Sequence, residues 1–300
     1  MMALTEKHGS SGKIRFVRRW LKKGGSLKRL PIAGFCFLMP IIICGIFGPL
    51  FFPHPPTEMN LGQSLRPPGV LPGGEWSHFL GTDHMGRDLL SRLIEGARVS
   101  LIVSIVGVGL AGLLGIALGM IAGYFEGTID NIIMRIVDMM MSIPPILMAI
   151  LLAASLGSGM TTIILSIMII FWTTYARVIR GETLSIKQQD FVTLALVTGC
   201  GRLRILMKHI FPNFVNTAVV LATLQLGRAI ITEASITFLG LGLQPPASAW
   251  GLIISEGRMY LSTAWWIPTF AGLAIMVTVL GSNITGDWLR DVLDPKLKRI

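Results

Sequence analysis

Long uncharged stretches dominate the pattern of hydrophobic and polar positions in this 300-residue chain. A bilayer core takes about 20 apolar residues in helical form. Leu30–Phe52 meets that length. It exceeds the apolar region of a signal peptide, about 7–15 residues, and no small-residue cleavage site follows, so an uncleaved first span is expected. A second uncharged run covers Val99–Gly123, and a third extends from about Ile132 to Leu156, with Arg135 and Asp138 near its start. Gly157-Ser158-Gly159 interrupts the pattern before a shorter fourth run, Thr161–Ala176. A fifth covers about Asn213–Leu239, with Arg228 and Glu233 inside it, and a sixth about Trp265–Gly286. The pattern predicts an all-α integral membrane protein with six transmembrane helices.

The expected layout is a basic tail over 1–29, a first span over 30–52, an outer loop over 53–97, a five-helix core over 98–286 and a tail over 287–300. Within the core, residues 177–212 form the one long inner loop. Cytoplasmic loops carry an excess of Lys and Arg. The amino tail, the 177–212 loop and the carboxyl tail hold nineteen such residues, whereas 53–97 and 240–264 hold four. Both termini and the 177–212 loop are therefore expected in the cytoplasm.

Composition agrees with this layout. Charged residues make up 14% of the chain and hydrophobic ones 52%, against about 25% charged in an ordinary soluble domain. These values exclude a disordered chain. Three cysteines exclude a disulfide scaffold. The net charge of +10 sits largely in the tails and the inner loop, so it reads as a topology signal and a contact for anionic lipid rather than a nucleic-acid site.

Several features inside the spans carry more than length. Gly107, Ala111, Gly115, Gly119 and Gly123 recur at every fourth position, a ridge that lets another helix approach closely. It suits a static contact within the chain, or a sliding or dimer surface. Pro144-Pro145 bends the third span, either as a plain kink or as a bend lining a pore. Arg228 and Glu233 are costly in hydrocarbon and ordinarily face a bundle interior or an aqueous path. Their spacing of five is poor for pairing with each other, so another helix is the expected partner; Arg228 alternatively snorkels. Together Pro144, Pro145, Arg228 and Glu233 are candidates for a translocation path.

In the inner loop, Ser185 and Gln188 form a candidate capping box for a helix with Phe191, Leu194, Ala195 and Thr198 on one side. Gly199 and Gly201 suit a stop and a sharp bend. A second short helix is expected over Arg202–Phe211, with Leu203, Leu206, Met207 and Ile210 on one face and Arg202, Arg204 and Lys208 on the other, ended by Pro212. A helix–turn–helix at the membrane surface results.

Asp190 to Pro212, with Ala195, Gly199, Ile210 and Pro212 at their spacing, resembles the cytoplasmic "EAA" loop of binding-protein-dependent ABC importer permeases. Thr193-Leu194-Ala195 departs from the family's first acidic-Ala-Ala element, while the Gly-to-Pro half fits. Gly81–Leu101, Phe238–Gly251 and Asn283–Leu297 resemble further segments of the dipeptide, oligopeptide and nickel group, and the long first outer loop is similar to its C-type member. The resemblance implies a loop that docks on an ATPase, with Asp190, Ala195, Gly199, Arg202, Ile210 and Pro212 as coupling residues. It also implies a second homologous permease subunit, two ATP-binding subunits, an extracytoplasmic substrate-binding protein and a peptide substrate moved by alternating access across a bacterial inner membrane.

Read from the residues alone, Gly81, Thr82, Asp83, Gly86, Arg87 and Asp88 suit a compact hydrogen-bonded element at the outer mouth, with Gly81 and Gly86 at turns. Loop architecture explains them better than substrate contact. Gln244-Pro245-Pro246 and Trp250 suggest a rigid turn with an interfacial aromatic. No phosphate-binding G-x-x-x-x-G-K-[ST] loop occurs, so ATP hydrolysis is expected on partner subunits. The five histidines show no metal-ligand pair spacing, and no catalytic dyad or cofactor motif stands out. Rival readings are the same machinery importing nickel or another small solute, an intramembrane enzyme using Asp138, Arg228 and Glu233, and a passive channel.

Overall fold

The computed structural model describes residues 31–293; the basic tail, Leu30 and residues 294–300 lie outside the described residues. No strand occurs among the described residues, only an isolated bridge between Thr82 and Asp88. The helices are α1 (Ile32–Phe47), α2 (Leu89–Phe125), α3 (Gly127–Ser142), α4 (Pro145–Leu156) and α5 (Met160–Lys187). They continue with α6 (Asp190–Val197), α7 (Arg202–Phe238), α8 (Trp250–Gly257) and α9 (Trp266–Leu293).

Five of these helices, α1 with its following turn, α2, α5, α7 and α9, are long and apolar enough to cross a bilayer. The expected third span is not one helix. It breaks into α3 and α4 with a 92° bend, so a sixth crossing exists only if that pair is taken as one broken span. Pro145 opens α4, where its missing N–H goes unmissed, and Pro144 cannot continue α3.

Helix ends depart from the expected loops at several places. The outer loop ends at Asp88 rather than 97, because Asp88 caps α2 by accepting from the Ser91 N–H. The 37 residues of α2 reach about 55 Å at 1.5 Å per residue, well beyond a hydrocarbon core of about 30 Å, so its ends project from the membrane. Arg177–Lys187, expected in the inner loop, continues α5, and Arg202–Pro212 belongs to α7. Only 188–201 lie between these two long helices. Ser185 sits within α5, so the capping box does not form; Gln189 precedes α6 without a side-chain cap. Pro212 does not end a helix either. A π-helical turn at Ile205–Ile210 carries the chain into the rest of α7. At the carboxyl end, α9 runs on to Leu293, past the tail boundary expected at 287.

The most extensive helix pairing is α2 with α5. The small-residue ridge forms this seam: Gly107 faces Ile167, Gly115 faces Tyr175 and Gly123 faces Thr183. A Cβ on Gly119 would stand 2.5 Å from the Ala176 carbonyl oxygen, so the two backbones approach as only glycine allows. The ridge is thus a contact within the chain. The helices α7 and α9 pack together, α1 lies against α9 and α2, and α8 closes the Asp83 end over α7 and α9.

Candidate functional site

Three assemblies stand out: one at each end of the bundle and one between them. At the Asp83 end, Gly86 takes φ +73° at a turn where a Cβ would run into the Asn60 carbonyl. This turn aims Asp83 at two guanidiniums. Asp83 Oδ2 accepts from Arg87 Nε at 2.6 Å and from Arg92 Nη1 at 2.5 Å, while Oδ1 accepts from the Arg87 and Met85 amides. Glu256, on α8, accepts from Arg87 Nη2 at 3.0 Å and pairs with Arg92 Nη1 at 2.8 Å. Two cations and two anions therefore balance in a buried cluster. Burial pushes the Asp83 carboxyl up, but the Arg92 and Arg87 charges and the Arg87 hydrogen bonds outweigh it and hold it below its ordinary range.

Around this cluster, Asp88 accepts from the Ser91 amide and hydroxyl and bonds His78 at 3.0 Å. Thr82 donates its hydroxyl to the Gln63 carbonyl, and Trp266 Nε1 donates to the Thr82 carbonyl at 3.2 Å. Gly81 takes φ +82°, and its carbonyl accepts from the Leu89 amide. These residues thus lock the loop before α2 onto α2, α8 and α9. Asp83, His84 and Glu256 hold potential metal-ligand atoms within 4.8 Å of one another, but both carboxylates are already neutralised by arginine. Glu256 carried no sequence signal; it is a single acid in an apolar segment.

At the Gly199 end, α6 stops in a Schellman turn. The Cys200 amide donates to the Ala195 carbonyl and the Gly199 amide to the Leu196 carbonyl, each at 3.0 Å. Gly199 takes φ +81°. Val192 and Ala195 face inward against Ile205, Leu206 and Ile210, in a cluster that includes Tyr124 and Phe214. The residues grouped on one face of each helix divide: Ala195, Leu206 and Ile210 turn inward, while Phe191, Leu194, Leu203 and Met207 are exposed. Asp190 lies exposed in the first turn of α6, and Pro212 is exposed near the start of the long α-helical part of α7. The Arg202 guanidinium stacks over the Phe125 ring at 5.8 Å.

The stem below this turn is cross-tied. Arg180 forks onto Asp130, with both bonds at 2.5 Å. Lys187 Nζ reaches Glu126 at 2.7 Å and the Tyr124 carbonyl at 2.8 Å, and Arg177 pairs with Asp138. The cations expected to mark a loop are helical side chains that tie α5 to α3 and to the turn after α2.

Between the two ends, a cavity of about 400 Å3 opens among α3, α4, α5 and α7. Pro145, Met148, Phe171, Gln225 and Arg228 line it. Arg228 and Pro145 share this space, whereas Glu233 does not. Glu233 is fully buried, accepting from Ser100 of α2 at 2.8 Å and from Thr237 of its own helix at 3.0 Å, so it joins α7 to α2.

A multi-span helical bundle, tied at one end and presenting a bent apolar hairpin at the other, defines a polytopic membrane protein. Residues 115–299 match the family described as binding-protein-dependent transport system inner membrane component, and residues 27–68 match the N-terminal transmembrane domain of oligopeptide transport permease C. The chain belongs to the binding-protein-dependent transport family and is a permease subunit of an ABC importer. It is 39% identical over 267 residues to the di/tripeptide transport system permease protein DppC of Pseudomonas aeruginosa, covering 89% of this chain and 88% of that protein. It is 43% identical over 226 residues to the glutathione transport system permease protein GsiD of Pectobacterium atrosepticum, covering 75% of each. The probable D,D-dipeptide transport system permease protein DdpC of Escherichia coli is 36% identical over 277 residues, with 92% and 90% covered. An inward-facing structure of the MetNI methionine ABC transporter superposes with a TM-score of 0.57 at 17% identity, covering 68% of this chain and 97% of that one, a likeness of fold.

Proposed function

We infer that this chain moves short peptides across the inner membrane by alternating access, driven by two ATPase subunits and working beside a second, homologous permease. The chain itself is not an enzyme. The Gly199 end and both termini face the cytosol, as the distribution of Lys and Arg indicates. An extracytoplasmic binding protein delivers the peptide at the Asp83 end. The names of the related permeases support the peptide substrate.

The observation that carries the coupling role is the outward apolar surface of the Gly199 hairpin. Leu194, Val197, Leu203 and Met207 are exposed there, with Val197 at 78% and Leu203 at 73%, while Val192, Ala195 and Ile205 pin the hairpin to the bundle. Such a patch on a rigid support suits a protein partner, and Arg202, Arg204 and Lys208 flank it. ATP-driven closure of the ATPases pushes this hairpin. Its rigid attachment to α5 and α7 then re-packs the spans around the cavity that Pro145 and Arg228 line, with the Pro144–Pro145 break as the point of bending. Coupling in this sense requires both sites to bias one two-state element.

Gly199→Arg tests the role. The strained left-handed backbone at φ +81° tolerates L side chains poorly. Insertion is expected to persist while ATPase co-purification and dipeptide uptake are lost. Normal co-purification with wild-type transport would overturn the coupling role. Uptake of labelled nickel instead of dipeptide in the wild type would overturn the substrate class alone.

A further inference from the structure

The cavity among α3, α4, α5 and α7 is lined by a cation, Arg228. Among the described residues no carboxylate forms an ion pair with Arg228; its Nη1 approaches Gln225 Oε1 at 3.5 Å. Gln225 is 1% exposed, and its Nε2 has no hydrogen-bond partner. Both side chains line the same space. An ionisable group at membrane depth ordinarily pairs with something, and a buried donor left unpaired is costly. A guanidinium with no carboxylate partner and a buried amide donor with no acceptor thus meet at one cavity.

The remaining walls suit a ligand of variable shape. Met140, Met141 and Met148 supply flexible thioethers, which accommodate irregular surfaces. A volume of about 400 Å3 lies in the range of small-molecule sites, about 300–1,000 Å3. The guanidinium fork matches the two oxygens of a carboxylate. Arg228 is exposed at the cavity wall and Gln225 lies buried beside it, so a carboxylate entering the cavity meets the guanidinium first and reaches the Gln225 amide as the Arg228–Gln225 contact opens.

We propose that the cavity is a peptide-carboxylate subsite, in which Arg228 and Gln225 take the free carboxyl terminus of a short peptide and the methionines accept its side chains. The subsite rests on the peptide-import reading above.

The test uses the complete importer in membranes, with Cys36, Cys44 and Cys200 replaced by alanine and Thr232→Cys introduced beside Arg228. Modification of that thiol by a water-soluble maleimide reports whether the cavity is occupied. Dialanine is expected to slow modification. Dialanine amide should require a concentration about tenfold higher, or more, for the same protection. Adding Arg228→Gln is expected to erase the difference between acid and amide. Equal protection by the two with Arg228 in place would overturn the subsite while leaving the path itself standing. A thiol at 232 that stays unreactive in every nucleotide state would sink the path and the subsite together. If Arg228→Gln released the second permease and left the acid–amide difference intact, Arg228 would be an inter-subunit ion-pair partner and the subsite would fall.

Discussion

Arg87 Nη2 donates to Glu256 Oε2 at 3.0 Å across 169 residues of sequence, joining the loop before α2 to α8. The same Glu256 also takes Arg92, and both arginines are fully buried. Removing the carboxylate leaves two guanidiniums to share Asp83. Breaking a buried pair from one side costs about 3–5 kcal/mol. Glu256→Ala is therefore expected to lower the thermal unfolding midpoint of the purified protein sharply, and Glu256→Gln less so. In a double-mutant cycle, Arg87→Met should cost less in the Glu256→Ala background than alone. Additive costs would show that the two side chains are not energetically coupled.

The Asp83 carboxyl makes the same cluster sensitive to acid. Its folded-state value lies below the ordinary carboxylate range because the Arg92 and Arg87 charges outweigh the upward push of burial. A depressed group contributes its stability above the unfolded-state value, about 3.9, and loses it as pH falls through the folded-state value. The stability gap between wild type and Asp83→Asn is thus expected to hold steady from pH 7 to about 5 and to close below about 4. Unfolding midpoints across that range read it directly. A gap that closed near neutral pH would assign the dependence to another group.

Glu233 offers a contrast between a charge and an acceptor. Its two oxygens take the Ser100 and Thr237 hydroxyls and no cation pairs with it among the described residues. A glutamine keeps one carbonyl acceptor and adds an amide donor that a hydroxyl, free to rotate, is able to accept. Glu233→Gln is expected to preserve stability to within about 1 kcal/mol, whereas Glu233→Ala should lose about 1–3 kcal/mol through unpaired buried hydroxyls. If both variants retained stability but abolished transport alike, Glu233 would act on the substrate path instead.

The spans were legible because hydrocarbon demands long uncharged helices, and the Gly199 turn because its chemistry is local. What escaped was non-local. Arg177, Arg180 and Lys187 read as loop charges, yet they extend α5 because Asp138, Asp130 and Glu126 meet them from up to 61 residues away. Pro212 read as a stop, but the adjoining π-turn lets the helix continue. Pro144-Pro145 announced a bend, while its 92° angle depends on how α4 lies against α5 and α7. The inward side of α6 was not legible because a short helix with apolar residues all round shows no clear face until its support is known. Glu256 and Gln225 had no signal at all; each gains its meaning from a partner distant in sequence.

The α2–α5 seam gives a paired expectation about two glycines in one helix. Gly119→Leu drives a side chain into the Ala176 backbone, and such overpacking costs about 1–3 kcal/mol or more. Gly109 meets nothing within 4 Å, so Gly109→Ala should be neutral or stabilising by up to about 1 kcal/mol. Yield and unfolding midpoint of the two variants check the pair. Equal tolerance of both would mean that α2 and α5 do not approach this closely.

In the Gly199 hairpin the same substitution is expected to act on the fold at one position and on the surface two residues away. Ala195, at 7% exposure, faces the bundle beside Ile205 and Leu206, and Val197, at 78%, faces away from it. Ala195→Asp buries a carboxylate with no cation provided for it, so the charge must be hydrated by opening the hairpin. Folding and assembly are expected to fail together, seen as loss of protein from the membrane fraction. Val197→Asp is expected to leave the fold intact, because its side chain is exposed, but it sets a charge in the middle of the apolar patch proposed to dock on the ATPase. The permease should then accumulate at its normal level, unfold at its normal midpoint and lose most ATPase co-purification and peptide uptake. Normal uptake by Val197→Asp would place the ATPase contact elsewhere on the chain, since a docked apolar surface does not absorb an unpaired carboxylate without cost.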